Sequence, residues 1–240
     1  MTKEDTVNLF LEFISKFWIY IFIVALISYF LGSICFSIIF TKLFKNTDIR
    51  NLGSKNAGFT NVLRSVGVLP AVLTMCGDFF KCIIAISVSK FIFSHFTSDF
   101  YTLQYITFLS GFCCILGHIY PCWYSFKGGK AVVTSLALAF IVDWRTAVIA
   151  LAVFLLVFSF SKIISLSSIS AAISYPIINF LTLKVYNSFS STQTYTRTYI
   201  ATSTTLCIIF SLVIIVKHRE NICRLLNGTE NQLSIKSKNS

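Results

Sequence analysis

Three polar segments interrupt an otherwise apolar chain, and they hold the residue types that could do chemistry. Residues 51–64 read NLGSKNAGFTNVLR. Glycines at 53 and 58 permit positive φ, so consecutive backbone N–H groups can converge on one anion. Ser54, Asn56, Thr60 and Asn61 add side-chain donors, and Arg64 adds a planar fork suited to phosphate. The same composition would also serve a plain polar connector between two helices. The second segment joins GHIYP at 117–121 to FKGGKAVVT at 126–134. Gly128 and Gly129 stand just before an apolar run, with Lys130 at its first turn. Free amides at a helix start plus an ammonium make a phosphate site. It is not a Walker A loop, because Tyr124 stands where that motif needs glycine. His118, inside an apolar run, reads as a packed, hydrogen-bonded side chain rather than a ligand. The third segment, KHRENICRLLNGTE at 217–230, follows the last apolar run. On a continuing helix His218 and Asn221 share a face; a basic anchor for anionic lipid is the alternative reading. Two anion sites and a His–Asn pair together describe a phosphorylated substrate meeting a lipid.

The elements that must position these groups are membrane helices. Of the 240 residues, 55% are hydrophobic and 12% charged, and the mean hydropathy is +0.78. Soluble domains carry about a quarter charged residues. The deficit excludes a disordered chain and a nucleic-acid module, despite the net charge of +11. The eight cysteines are scattered without a CxxC pair and read as small buried hydrophobes. A bilayer core of about 30 Å needs about 20 apolar residues. Residues 18–40, 66–88, 102–120, 163–183 and 199–216 are of that order. Asp78 and Lys81 lie one turn apart inside the second of these, where a charge is a functional candidate and the two should pair. Residues 131–142 and 146–160, split by Asp143-Trp144-Arg145, form either two short helices meeting at a polar turn or a re-entrant hairpin.

The expected fold is an all-α polytopic membrane protein with about seven transmembrane helices. Residues 1–17 form an extracytoplasmic segment without a cleavable signal, 18–216 the transmembrane domain, and 217–240 a cytoplasmic segment with a disordered basic end. Thirteen of the 20 Lys and Arg fall in 41–65, 121–130, 161–162 and the stretch from 217. By the positive-inside rule that face is cytoplasmic, with the N-terminus outside and the C-terminus inside.

In residues and in order, these motifs resemble those of the bacterial membrane-bound acyl-phosphate:glycerol-3-phosphate 1-O-acyltransferases. The match runs from about Leu31 to Glu230. It includes LGS at 31–33, DIRNxGSxNxGxTNVLR at 48–64, DxxK at 78–81 and LGHxYP at 116–121. FKGGK at 126–130, SLSSI at 165–169 and HRENIxRLLxGTE at 218–230 follow. The resemblance implies transfer of a fatty acyl group from acyl phosphate to the 1-hydroxyl of sn-glycerol 3-phosphate. The products would be lysophosphatidic acid and inorganic phosphate, at the first step of phospholipid synthesis. It implies a site on the cytoplasmic side of the bacterial inner membrane, no metal or cofactor, and a functional link to an enzyme that makes acyl phosphate. Ser54, Asn56, Thr60, Asn61, Arg64, Gly128, Gly129 and Lys130 would hold the two phosphates, with Ser165 and Ser168 lining the same hole. His218 and Asn221 would orient the attacking hydroxyl, with His218 or the substrate's own phosphate as base.

The chain departs from the family pattern at several positions. Lys55 and Phe59 stand where glycine and alanine are usual, Cys82 and Ala131 replace glycines, and Cys35 and Ser37 replace proline and glycine. Lys55 should stiffen the loop and add an anion contact. Other classes fit less well. The His-x4-Asp pair of thioester-using acyltransferases is missing. A CDP-alcohol phosphotransferase needs paired aspartates, whereas Asp48, Asp78, Asp99 and Asp143 are isolated. A transporter would spread polar groups through several spans and repeat its halves; here polarity collects at one face.

Overall fold

The computed structural model describes residues 3–190 and 194–233, with side chains from residue 14. The last stretch expected to be disordered, 234–240, lies outside the described residues. The chain forms ten α-helices with no strand among the described residues: α1 (Lys3–Gly32), α2 (Phe36–Lys45), α3 (Phe59–Ser65), α4 (Val68–Ser94), α5 (Phe100–Ile119), α6 (Val132–Val142), α7 (Trp144–Ser161), α8 (Ile164–Phe189), α9 (Arg197–Lys217) and α10 (Arg219–Leu226). Helices are what an apolar chain must form in hydrocarbon, where every backbone N–H and C=O needs a partner within its own segment. Six stretches are long and apolar enough to cross a membrane, and the 11-residue α6 is a shorter apolar helix. The α6 and α7 helices meet at Asp143, whose carboxylate accepts the Arg145 and Thr146 amides at 2.9 and 3.2 Å. The polar turn foreseen between two helices is therefore a cap.

The expected span 18–40 falls within one stretch long and apolar enough to cross a membrane, but its helix is interrupted: α1 ends at Gly32 and α2 begins at Phe36. The α1 helix already starts at Lys3. The break coincides with a close crossing of α1 and α5. A Cβ on Gly32 would stand 2.2 Å from the Cys114 carbonyl oxygen, and one on Gly117 2.1 Å from that of Tyr29. Small residues at such crossings let helix backbones touch. One turn deeper, Ser28 on α1 bonds Ser110 on α5 at 2.7 Å, and Ser89 on α4 reaches Ser110 at 3.0 Å. All eight cysteines are free; Cys35, Cys82, Cys114 and Cys207 are buried as expected, while Cys76 and Cys223 are exposed.

Connections collect at two ends of the bundle. At one end Arg50 bonds the Tyr124 carbonyl, Arg64 that of Asn231, and the Leu233 amide that of Lys162. At the other, Arg145 reaches the Tyr195 hydroxyl and Tyr101 the Thr194 carbonyl. The three polar segments thus share one end.

Candidate active site

The loop between α2 and α4 is built around Asn61. Only 3% exposed, its amide nitrogen donates to the carbonyls of Ile49, Leu52 and Asn56 at 3.2, 2.9 and 3.1 Å. Its amide oxygen accepts from the Ser54 backbone N–H at 3.1 Å and the Ser65 hydroxyl at 3.3 Å. Expected as a phosphate ligand, Asn61 is instead committed on both ends of its amide to folding the loop. Gly53 has φ +50° as anticipated, whereas Gly58 is extended and caps α3. Lys55 also has a positive φ, at +58°, where an L-residue is strained. Arg50 pairs with Asp48 at 2.7 Å and holds the Tyr124 carbonyl at 2.8 Å, tying this loop to the next. The guanidinium's hydrogen bonds keep the Asp48 carboxyl below its ordinary range. Ser54, Asn61 and Arg64 line a pocket of about 240 Å³ with Gly53 and residues Asn231, Gln232 and Leu233. Thr60, half-buried, opens α3, and Asn56 gives its carbonyl to Asn61.

The glycine pair works differently from the expectation. Neither Gly128 nor Gly129 has a positive φ, and their amides donate to the Ile119 and His118 carbonyls at 3.2 and 3.1 Å. They close the end of α5 instead of facing an anion. What requires glycine is space. A Cβ on Gly128 would stand 2.0 Å from the His118 carbonyl oxygen. One on Gly129 would stand 2.3 Å from His118 Nε2 and 2.5 Å from the Ala57 carbonyl oxygen. The tight turn aims Lys130 at the third segment, where its Nζ donates to Asn221 Oδ1. Ala131 then takes φ +58° before α6 begins.

At His218 the chain leaves α9 and enters α10, which puts Asn221 three residues on. His218 is 3% exposed, and its Nδ1 lies 2.8 Å from the Ile214 carbonyl oxygen. A carbonyl only accepts, so Nδ1 carries the proton and Nε2 keeps a free lone pair. Burial pushes this imidazole down to about 4; the charge of Lys130 adds to that, outweighing the hydrogen bond to Ile214. It is neutral at pH 7. Burial also brings the Lys130 ammonium down to about 8, against the pull of Glu230.

The centre of the cluster is a residue that the motif contained but the choice of site residues passed over. Glu230 accepts from Ser165 at 2.9 Å, Asn221 at 2.8 Å and Arg224 at 2.7 Å. Burial alone would raise its pKa, but these bonds win and lower it. Its type argued against it: a carboxylate is a poor guess among phosphate ligands, and only tertiary contact reveals its donors. Of the predicted serines, Ser165 faces this cluster, while Ser168 bonds its own helix at the Ile164 carbonyl. Asn231, next to Glu230, accepts from Arg64, so the pocket and the Lys130 cluster share one wall.

The three segments and the start of α8 thus bring Arg64, Lys130, Asn221, Ser165 and a neutral histidine to one end of a helical membrane bundle. A family model described as glycerol-3-phosphate acyltransferase matches residues 22–228. The chain is 38% identical over 217 residues to a glycerol-3-phosphate acyltransferase of Prochlorococcus marinus (strain MIT 9515), covering 90% of this chain and 98% of that one. It is 35% identical over 219 residues to the enzyme of that name from Bartonella quintana (strain Toulouse), covering 91% and 94%. Two crystal structures of PlsY (YgiH), an integral membrane glycerol 3-phosphate acyltransferase, share the fold. The glycerol 3-phosphate form gives a TM-score of 0.72 at 35% identity over 89% of this chain and 96% of that one. The lysophosphatidic acid form gives 0.70 at 33% identity over 89% and 95%. Sequence and structure agree over about nine-tenths of the chain, which belongs to the glycerol-3-phosphate acyltransferase family.

Proposed function

We propose that this chain transfers a fatty acyl group from acyl phosphate to the 1-hydroxyl of sn-glycerol 3-phosphate. The hydroxyl oxygen attacks the acyl carbonyl carbon, its proton passes to His218 or to the substrate's own phosphate, the bond from that carbon to the phosphate oxygen breaks, and inorganic phosphate leaves with lysophosphatidic acid as co-product. The observation that carries this reading is the cluster around Glu230. Ser165 of α8 and Asn221 and Arg224 of α10 donate to the half-buried Glu230 carboxylate, and Lys130, in the turn before α6, joins them through Asn221, beside the Arg64 pocket. Acyl phosphate is already activated by its leaving group, so the protein's task is to position two phosphates and neutralise developing charge. Arg64, Ser54, Asn56 and Thr60 hold one phosphate, and Lys130 with Ser165 the other, with Ser168 bonded back to its own helix beside them. Gly128, Gly129 and Asn61 shape the loops that present them. His218 Nε2 accepts the hydrogen bond of the attacking hydroxyl, and Asn221 orients it.

The charge distribution and the common end of the three segments support a site facing the cytoplasm of a bacterial inner membrane. On this reading residues 1–17 begin outside, 18–216 span, and 217–240 lie inside. An enzyme that makes acyl phosphate supplies the donor. Detergent-purified protein, given palmitoyl phosphate and glycerol 3-phosphate without added metal, should release phosphate and lysophosphatidate in equal amounts. Palmitoyl-CoA should give neither. Product from the thioester alone would overturn the donor assignment.

A further inference from the structure

The motif at 78–81 has no part in the proposed reaction, yet it lies at the structural root of the site. Lys81, 3% exposed, places its ammonium 2.8 Å from Asp78 Oδ1, 2.9 Å from His118 Nδ1 and 2.8 Å from the Ile34 carbonyl oxygen. The ammonium thus hydrogen-bonds the Ile34 carbonyl and His118 and forms an ion pair with Asp78. The Ile34 carbonyl belongs to the α1–α2 break, where no helix satisfies it and apolar surroundings leave it nothing else. His118 Nδ1 thus meets Lys81 and also lies 3.4 Å from Asp78 Oδ1, which leaves Nε2 as the nitrogen on the far side of the ring. That nitrogen faces the narrow space where Gly129 meets the Ala57 carbonyl. On the other side of Lys130, the Thr134 hydroxyl in the first turn of α6 donates to the Asp78 carbonyl at 3.4 Å. One flank of Lys130 therefore packs between the His118 ring and the Ala57 carbonyl of the loop, and the other is bonded to the α4 backbone at Asp78.

We propose that Asp78, Lys81 and His118 are positioning residues, which set the distance between Lys130 and the loop at 53–64. The proposal rests on the acyltransferase reading above. An apolar trio could fill the volume, but it could not hold the open carbonyl at residue 34 or fix the tilt of the imidazole under Gly129. A lone charge in that place would be costly, which explains why the acid and the base occur as a pair.

The test uses the full chain in detergent with palmitoyl phosphate and glycerol 3-phosphate. Losing only one charged partner strands the other, so the deciding variant is Asp78→Asn combined with Lys81→Met, which removes both charges at similar volume. It should be recovered folded, with KM for at least one phosphate substrate raised about tenfold to a hundredfold. Unchanged KM for both substrates overturns the proposal, because mere loss of folded enzyme lowers the maximal rate without moving KM. If the double variant is not recovered folded, His118 decides. His118→Asn keeps an acceptor at the Nδ1 position and should hold KM near that of the wild type, whereas His118→Leu should raise it. Equal KM in those two variants overturns the proposal. Wild-type protein inactive with acyl phosphate would overturn the donor reading instead, and this inference with it.

Discussion

Gly129→Ala adds one methyl group at the tightest point of the site. The new Cβ would stand 2.3 Å from His118 Nε2 and 2.5 Å from the Ala57 carbonyl oxygen. Heavy atoms need about 3.5 Å, so each neighbour must retreat by about 1 Å. Neither is the free end of a flexible side chain. The His118 ring is held by Lys81, and Ala57 is backbone of a residue with no exposure. Overpacking of this kind costs about 1–3 kcal/mol of stability. The larger effect should fall on catalysis, because Lys130 is the next residue and a displacement of about 1 Å can cost about a hundredfold in rate. Membrane insertion depends on the hydropathy of the spans and should not change. The assay is phosphate release from palmitoyl phosphate by detergent-purified G129A, together with its thermal unfolding and its amount in the membrane. A variant with normal membrane content, within twofold of wild-type kcat/KM and unchanged in melting temperature, would refute the close-packing argument.

Three further predictions follow from the same geometry. If Lys130 binds phosphate as proposed, it does so as the ammonium, which burial brings down to about 8, so KM for that phosphate should be flat from pH 7 to about 8 and then rise about tenfold per unit. Lys130→Arg should stay charged and flatten that rise; an identical profile in both enzymes would mean that Lys130 does not bind the phosphate. Lys55→Gly and Ala131→Gly remove side chains from left-handed backbone, at φ +58° in each case. The relief of about 1–2 kcal/mol, less about 0.5–1 kcal/mol for the freer unfolded chain, should raise Tm by a few degrees each; a lowered Tm would count against the strain. Arg64→Ala and Lys130→Ala should chiefly raise KM, whereas His218→Ala should chiefly lower kcat. Wild-type kinetics in all three would remove the site assignment.

The membrane class was legible because apolarity adds up along a local window. Runs such as 199–216 announce a helix whatever surrounds them. The three polar segments were legible for the complementary reason: glycine, asparagine, arginine and histidine stand out against that background, and their order carried the family. The helix break at 33–35 was not visible, since residues 18–40 contain no charge to mark it. It coincides with the close approach of Gly32 to Cys114, on a helix far along the chain. Gly128 and Gly129 were rightly singled out but for the wrong reason. Composition suggests free amides, and only the fold shows those amides bonded to α5 and the missing Cβ atoms making room for His118 and Ala57.

What the sequence determined by itself is therefore the solvent of each segment and the kind of anion chemistry its polar residues can offer. Both are properties of side chains and short windows. Tertiary structure alone decided the partners. Asn61 turned inward to fold its loop, His118 joined Asp78 and Lys81, and Glu230 became the centre of the Lys130 cluster. Hydrogen bonds and ion pairs act over about 3 Å, and the groups concerned, such as Arg64 and Asn231, lie up to 167 positions apart along the chain. No local pattern encodes that distance; the packing of the helices does.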